Sequence, residues 1–280
     1  MGVVFESVLL GVVVLLAGTL PRNLLFFANL QFQPSVPWAA PLIALYLWLF
    51  WRYLRGAGPP PTTAATRRER LRANSIPAKM WLRSLVAGGL GIVALVLGLR
   101  VINRLIVLPH QQVPDLVGVT PTTMATLLAV AAPVAGVVEE AAFRGYMQGP
   151  IEKRHGLAIA ILVTGTMFAV AHLDFTLILW PYYVAVAAIY GIVTHLTNSI
   201  LPAIVLHTAG NLYSNFTLWL TGRAEWQTSG GPSDLIWTTG LDAHFWIATI
   251  AFVVTVATTV CAYAWLANCR AQQSPVDGSA

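Results

Sequence analysis

Uninterrupted apolar stretches constrain this chain more than any other feature of its sequence. Residues 85–99, LVAGGLGIVALVLGL, contain no polar side chain and no alternation of polar and apolar positions. A helix that crosses a membrane needs about 20 apolar residues, whereas the strands of a membrane barrel alternate in polarity. The whole chain is 57% hydrophobic and 10% charged, whereas soluble domains carry about 25% charged residues. The sequence therefore predicts an all-α integral membrane protein.

About eight apolar stretches are long enough to be membrane helices. Together they predict a single membrane domain over residues 1–270, followed by a polar tail at 271–280. The first stretch has no basic segment before it, and AGTLPR is a poor cleavage site, so we expect an uncleaved helix rather than a signal peptide. The predicted spans are residues 3–20, 36–53, 84–108, 121–148, 156–173, 176–197, 200–220 and 244–267.

Basic residues are concentrated in one connecting segment. Residues 52–83 hold half of the 16 lysines and arginines. Because basic loops stay in the cytoplasm, this segment predicts a cytoplasmic amino terminus and external loops at 21–35 and 221–243. The net charge of +5 is thus explained by the lipid bilayer. The sequence has no basic stripe with interleaved aromatic residues, so nucleic acid is not an expected partner.

Charged side chains inside the fourth span depart from this apolar pattern. The segment VVEEAAFRG, residues 137–145, places Glu139, Glu140 and Arg144 at membrane depth, where ionisable groups are costly and usually functional. Arg144 follows Glu140 by one helical turn, which predicts an ion pair. The two glutamates point about 100° apart on a helix and are not expected to reach one target. Glu139 is then a free proton acceptor, unless the three residues form a purely structural polar clasp.

Two later spans carry polar pairs one helical turn apart. FAVAH places Phe168 and His172 on one helix face, and HTAGN does the same for His207 and Asn211. These residue types, together with the free carboxylate of Glu139, are those that amide hydrolysis needs. Glu139 and His172 are predicted to hold and deprotonate a water molecule. His207 and Asn211 are predicted to donate hydrogen bonds to the oxyanion that forms on the carbonyl.

The three motifs resemble those of a known family. EEAAFR, FAVAH and HTAGN fit EExxxR, FxxxH and HxxxN, and the region of about 121–220 that holds them resembles the CPBP family of CAAX prenyl endopeptidases (the Ras-converting type) and bacteriocin-processing or Abi proteins. The resemblance implies an intramembrane endopeptidase with Glu139 as the essential glutamate and His172 as its water-activating partner. It assigns His207 and Asn211 to the oxyanion site. The supporting residues of the motifs are Glu140, Arg144 and Phe168.

Several alternatives stay open at this point. Glu139, His172 and His207 also make a two-histidine, one-carboxylate set that suits zinc, although the asparagine after His207 fits an oxyanion site better and favours a reaction without metal. A transporter or scaffold with a buried polar network is the non-enzymatic alternative. The expected substrate is a membrane-associated protein or peptide of unknown sequence, and the oligomeric state is open. The predicted span ends also put Glu139 about 16 Å and His172 about 25 Å from the cytoplasmic side, which is a mismatch in depth.

Overall fold

The computed structural model describes residues 2–109, 118–172, 177–228 and 231–271. Within these ranges the chain is helical and has no strand, which confirms the expected all-α architecture. The predicted polar tail at 271–280 lies outside the described residues, apart from residue 271. The α-helices are α1 Gly2–Phe32, α2 Ala39–Leu54, α3 Ala64–Leu71, α4 Ala78–Leu105, α5 Pro121–Glu139, α6 Gly149–His155, α7 Leu157–Ala171, α8 Trp180–Thr197, α9 Leu201–Thr221, α10 Ile236–Thr239 and α11 Ala243–Ala271. A π-helical segment, Glu140–Gln148, joins α5 to α6, and 3₁₀ turns occupy Pro61–Thr63, Leu177–Leu179 and Pro232–Asp234.

Most of the long helices are apolar enough to cross a membrane. α2 and α7 are apolar but shorter, and α9 has the length of a span, 21 residues, but carries several polar side chains. With α5 to α6 counted as one continuous helix, the described ranges contain eight long helical segments, which supports a multi-pass membrane protein. The side of the membrane that each end faces stays a prediction, as does the extent of the domain. The five segments that meet both length and hydropathy criteria are Gly2–Phe32, Ala78–Leu105, Pro121–His155, Leu177–Thr197 and Ala243–Cys269.

The first helix is longer than the sequence predicts. α1 continues through Pro21 to its end at Phe32, so most of the external loop predicted at 21–35 is helical and Arg22 lies within α1. Proline removes one hydrogen-bond donor from a helix, but membrane helices tolerate it because neighbouring groups satisfy the freed carbonyl. The prediction of a loop that begins at Pro21 is therefore wrong.

Glycine residues allow the helices around the first motif to approach closely. α5 packs along α9, α7 along α8 and α4 along α11, while α1 lies against the π-helical segment. A side chain at Gly136 of α5 would meet the backbone nitrogen of Thr208 at 3.1 Å and the carbonyl of Ile204 at 3.2 Å. At Gly145 it would meet the carbonyl of Leu71 at 3.1 Å. Small residues at such contacts are typical of helix pairs in membranes, where close packing drives association.

The helix that carries the first motif also runs further than predicted. The predicted span ends at residue 148, whereas the helix continues through α6 to His155, and Gly156, with a φ of +83°, turns the chain into α7. Glu139 lies 17 residues before Gly156 (156 − 139), and His172 lies 16 residues after it (172 − 156). At about 1.5 Å per residue these separations are about 25 and 24 Å, so the two helices bring both side chains to the same depth. The longer helix thus removes the mismatch between the predicted spans.

Charged side chains at one end of the bundle are paired with one another. Arg72 Nη1 lies 3.4 Å from Glu152 Oε2, and His195 Nδ1 lies 2.7 Å from Glu152 Oε1. Arg70 Nη2 lies 2.5 Å from the carboxylate of Glu6 on α1. These pairs lie near the helix ends, away from the charges of the first motif.

Candidate active site

Polar side chains from all three motifs line a cavity inside the bundle. Its volume is about 270 Å³, and it lies between α1, α4, α5, α7, α8, α9 and the loop that follows α9. Glu139, His172, His207 and Asn211 line this cavity, and so does Phe168. The fold thus brings side chains from three helices, which are distant in sequence, to one internal space.

The helix that presents the two glutamates is capped at its start and distorted at the motif. Thr120 Oγ1 accepts the backbone N–H of Thr123 at 3.2 Å, and Pro121 occupies the first turn of α5; threonine and proline are both favoured at these positions. The α-helix widens into the π-helical segment at Glu140, and all nine residues of that segment are buried. π-helical turns are rare and occur frequently at functional sites. Here the widening begins between the two glutamates.

Glu139 and Glu140 approach opposite nitrogens of one imidazole ring. His207 Nδ1 donates a hydrogen bond to Glu140 Oε1 at 2.7 Å, and His207 Nε2 lies 3.6 Å from Glu139 Oε2. The expectation that adjacent glutamates cannot share a target is therefore wrong, because the two edges of the ring meet side chains from neighbouring faces of the helix. The Glu139 side chain is 16% exposed and lines the cavity, whereas that of Glu140 is fully buried. Of the two carboxylates, only Glu139 is open to a substrate.

Arg144 completes the ion pair that its spacing from Glu140 predicts. Its Nη1 lies 3.1 Å from Glu140 Oε1, and neither side chain is exposed. The guanidinium nitrogens have no aligned hydrogen-bond acceptor among the described residues. The group lies instead 5.3 Å from the ring centres of both Phe168 and Tyr190, whose faces attract a cation. Glu140 is thus held on one side by Arg144 and on the other by His207.

His172 is oriented by its own helix. Its Nδ1 donates a hydrogen bond to the backbone carbonyl of Phe168, one turn earlier, at 2.8 Å. Because a carbonyl only accepts, the hydrogen is assigned to Nδ1, and the neutral ring keeps a lone pair on Nε2. The ring centre lies 4.6 Å from those of Tyr183 and Phe168. Phe168 also lies 6.0 Å from the ring of His207, so it positions one imidazole and contacts the other.

Asn211 presents an unused amide to the cavity. It lies one turn beyond His207 on α9 and lines the same space. Its side chain makes no hydrogen bond within the part of the chain that the structure describes. His207 itself is fixed by Tyr190, whose ring stacks on the imidazole at 4.9 Å with 17° between the planes. The pair therefore combines a rigid ring with a free donor.

Polar side chains that the sequence did not assign to the site also line the cavity. Arg22 of α1 is attracted to the Glu139 carboxylate, and its buried Nε has no acceptor among the described residues. Glu225, in the loop after α9, accepts a hydrogen bond from Tyr182 Oη at 2.5 Å. Both charges lie outside the predicted spans, where nothing indicates that a side chain points inward. The apolar residues on both sides of Pro21 and Arg22 were the available signal for a continuing helix, and Glu225 had none.

The three residues of the alternative zinc site line one cavity, but they are not grouped as metal ligands among the described residues. In the ranges that the structure describes, no group of three or more histidine, cysteine, aspartate or glutamate side chains is placed to hold a metal ion. Glu139, His172 and His207 line one cavity, but the ring of Phe168 contacts both imidazoles. The zinc-dependent alternative therefore stays a prediction.

Comparison with known proteins identifies the region that holds the motifs. Residues 121–213 match the family model described as type II CAAX prenyl endopeptidase Rce1-like. The match covers 93 residues (213 − 121 + 1), about a third of the 280-residue chain, and includes all three motifs. No curated protein and no solved structure gives a match. The resemblance to CAAX prenyl endopeptidases of the CPBP family is thus confirmed over the segment that supplies α5, α7, α8 and most of α9.

Proposed function

We propose that this protein is an intramembrane endopeptidase that hydrolyses a peptide bond of a membrane-associated protein or peptide. The match to an endopeptidase family supports a peptidase. The observation that carries the proposal is the internal cavity, because motif side chains from α5, α7 and α9 meet there within an apolar bundle. Ionisable groups at membrane depth are costly and are retained where they have a function.

Glu139 and His172 are suited to activate a water molecule. The Glu139 carboxylate accepts a proton from the water, and it is the glutamate that is open to the cavity. Nε2 of His172 accepts a hydrogen bond from the second O–H of the same water, because the hydrogen on Nδ1 is committed to the Phe168 carbonyl. A positioned general base contributes about 10²–10⁴-fold to a hydrolysis rate.

His207 and Asn211 are suited to stabilise the oxyanion. The amide of Asn211 is a ready donor. His207 uses Nδ1–H for Glu140, so Nε2 donates to an oxyanion only when both ring nitrogens carry hydrogen. Glu140 supplies the negative charge that such an imidazolium needs, and Arg144 holds Glu140 in place. One oxyanion donor contributes about 3–4 kcal/mol in a water-excluded site.

We propose further that the reaction needs no metal ion. The arrangement of Glu139, His172 and His207 supports this, since the three do not form a ligand set. Purified protein is expected to stay active in excess EDTA and to contain far less than one equivalent of zinc by mass spectrometry. Loss of activity in chelator, with recovery on addition of zinc, would establish the zinc-dependent alternative.

Peptide cleavage by the purified protein in lipid nanodiscs tests the proposal. The family name suggests the first probe, a fluorogenic farnesylated peptide that ends in a CAAX sequence, and a pool of unmodified hydrophobic peptides serves as the second. Glu139→Gln and His172→Ala are expected to lower the cleavage rate by at least about 10²-fold. Glu6→Gln and His244→Ala, at exposed positions outside the cavity, are matched controls that keep the rate.

The non-enzymatic alternatives predict a different result. A transporter or scaffold leaves both probes intact at any protein concentration. Product masses from wild-type protein that correspond to a single cut, absent with Glu139→Gln, contradict these alternatives. A cleavage rate that survives Glu139→Gln would contradict the role of Glu139 as the base.

A further inference from the structure

Glu225 lies in a loop that is fixed in place rather than free at the surface. Its neighbours in sequence, Ala224 and Trp226, are both buried. Asn103 of α4 donates a hydrogen bond to the carbonyl of Trp226 at 2.7 Å, and Trp226 Nε1 donates to the carbonyl of Pro109 at 3.0 Å. The loop after α9 is therefore anchored to α4 and to the segment that follows α4, and the Glu225 carboxyl lines the cavity.

The Glu225 carboxyl has one hydrogen-bond partner, Tyr182, and shares its cavity with His172 and His207. Tyr182 Oη donates to Glu225 Oε1 at 2.5 Å, and the Tyr182 ring packs 6.0 Å from that of Trp226. Burial raises the pKa of the Glu225 carboxyl above its ordinary value, and the hydrogen bond from Tyr182 is the main influence that opposes the rise. The neutral acid is thus favoured more at Glu225 than at an exposed glutamate.

Several other titratable and charged groups share the cavity with Glu225. α4 contributes only apolar side chains to the lining, and every remaining helix around the cavity contributes at least one polar group. Glu139 of α5 is the second carboxyl in the cavity, and its Oε2 lies 3.6 Å from His207 Nε2. The titratable and charged groups that line the cavity with Glu225 are Arg22 of α1, Glu139 of α5, His172 of α7, Tyr182, Tyr183 and Tyr190 of α8, and His207 and Tyr213 of α9.

Peptide hydrolysis needs a proton donor as well as a base. The leaving nitrogen must be protonated before the C–N bond breaks, because an unprotonated amide nitrogen is a very poor leaving group. Enzymes often meet both needs with two carboxyl groups in different environments, of which one acts as the base and the other as the acid. Glu139 and Glu225 are such a pair in one cavity.

We propose that Glu225 is a further catalytic residue, the general acid that gives a proton to the leaving nitrogen while Glu139 acts as the general base. This inference rests on the proposed peptidase function. Tyr182 is its positioning residue, since it fixes the carboxyl through the hydrogen bond at 2.5 Å.

Water, the peptide and the two glutamates account for every proton that is transferred in the reaction. In the first step the water oxygen bonds to the carbonyl carbon, one proton passes from water to Glu139, and the carbonyl electron pair moves to oxygen. In the second step the C=O bond re-forms, the C–N bond breaks, and the nitrogen takes the proton of Glu225. Glu139 is then protonated and Glu225 ionised, and transfer of one proton between them through cavity water restores both.

The pH dependence of cleavage gives the first test. The wild-type rate is expected to fall as pH rises through the pKa of Glu225, because the ionised carboxylate cannot donate. Glu225→Gln is expected to lower kcat by about 10²–10⁴-fold with little change in KM and to abolish this alkaline decline. Arg223→Gln, an exposed change in the same loop, is the matched control and keeps the wild-type profile.

The leaving group gives the second test. A 4-nitrophenyl ester of the same peptide releases an anion that needs no proton, so Glu225→Gln is expected to slow ester cleavage less than about fivefold while amide cleavage keeps the full loss. A merely structural defect slows both substrates equally, and that result would overturn the inference.

Tyr182→Phe keeps the proposal testable if Glu225→Gln does not fold. Loss of the hydroxyl removes a hydrogen bond that favours the carboxylate, so the pKa of Glu225 rises and the alkaline decline moves to higher pH. An unmoved decline in Tyr182→Phe contradicts the role of Glu225. Wild-type protein that cleaves neither probe rejects the peptidase function and this inference together, whereas wild-type cleavage with an unchanged Glu225→Gln profile rejects this inference alone.

Discussion

The π-helical segment Glu140–Gln148 and α11 differ widely in burial within one helical bundle. Every residue of the π-helical segment is buried, including a glutamate, an arginine and a glutamine. In α11 only 11% of the apolar stretch is buried, and large side chains such as Ile247 and Ile250 are 66% and 61% exposed. A polar helical segment is thus fully enclosed, whereas α11 is the least buried of the five candidate membrane spans.

The difference in burial between the π-helical segment and α11 is explained by the surrounding lipid. Lipid tails are as apolar as isoleucine, so α11 loses nothing by facing them. A charge cannot face lipid without a large penalty, so the π-helical segment is surrounded by other helices that supply partners. For Glu140 these partners are Arg144 and His207, at 3.1 and 2.7 Å. The proposed catalytic groups therefore lie where the bundle excludes lipid.

Removal of the buried cation is the most severe way to disturb the π-helical segment. Arg144→Met leaves the Glu140 carboxylate buried with one partner instead of two, and we expect a loss of about 3–5 kcal/mol in the free energy of unfolding. Thermal unfolding of the purified protein in detergent measures the change. Arg70→Met, which breaks the exposed pair with Glu6, is the control and should cost less than about 1 kcal/mol.

A second variant separates charge from packing at the same place. Glu140→Gln combined with Arg144→Met removes both charges, and part of the lost stability should return because no unpaired charge stays buried. Equal unfolding temperatures for Arg144→Met and Arg70→Met would show that the buried pair does not support the segment.

Close packing around the motif gives a smaller effect. Gly136→Val places a side chain against the backbone of α9 at Thr208 and Ile204, and over-packing of this kind costs about 1–3 kcal/mol. Gly89→Val makes the same change on α4, where an added Cβ meets nothing within 4 Å, and is expected to be nearly neutral. Because α5 and α9 carry Glu139 and His207, Gly136→Val should also slow cleavage by up to about 10²-fold, as misplaced reacting groups do. Similar melting temperatures for the two valine variants would contradict the close contact.

The sequence was sufficient for those parts of the site that depend on spacing along one helix. The ion pair of Glu140 with Arg144, the placement of Phe168 beside His172, and the helical class of the whole chain all follow from periodicities of about 3.6 residues and from apolar length. These are local properties. They survive an error of several residues in the ends of a span, as at His155, where the helix runs past its predicted end.

What the sequence could not supply depends on which helices become neighbours. The approach of Glu139 and Glu140 to one imidazole needs α9 to lie along α5 at the distance that Gly136 permits. Glu225 reaches the cavity only because its loop is anchored to α4. Such contacts join residues far apart in the chain. The pattern of polar and apolar residues within one segment does not predict them.

Truncation of a lipid-facing side chain is expected to have the smallest effect. It directly compares an exposed position on α11 with a buried position inside the bundle. Ile250→Ala on α11 is expected to alter the free energy of unfolding by less than about 0.5 kcal/mol. The removed atoms leave no cavity, since lipid tails fill the space beside a side chain that is 61% exposed. Leu127→Ala on α5, at a fully buried position, is the comparison and should cost about 2–5 kcal/mol. Chemical unfolding in mixed micelles measures both variants.

The pair of alanine variants separates two sources of stability. In a soluble protein, truncation of either side chain would lower the free energy of unfolding, because less apolar surface would be removed from water on folding. In lipid only the loss of packed neighbours counts, so Leu127 should be sensitive and Ile250 insensitive although both are large aliphatic residues. A large loss for Ile250→Ala would mean that α11 has a protein partner in the membrane, and the exposed face of α11 would then be an interface rather than a lipid contact.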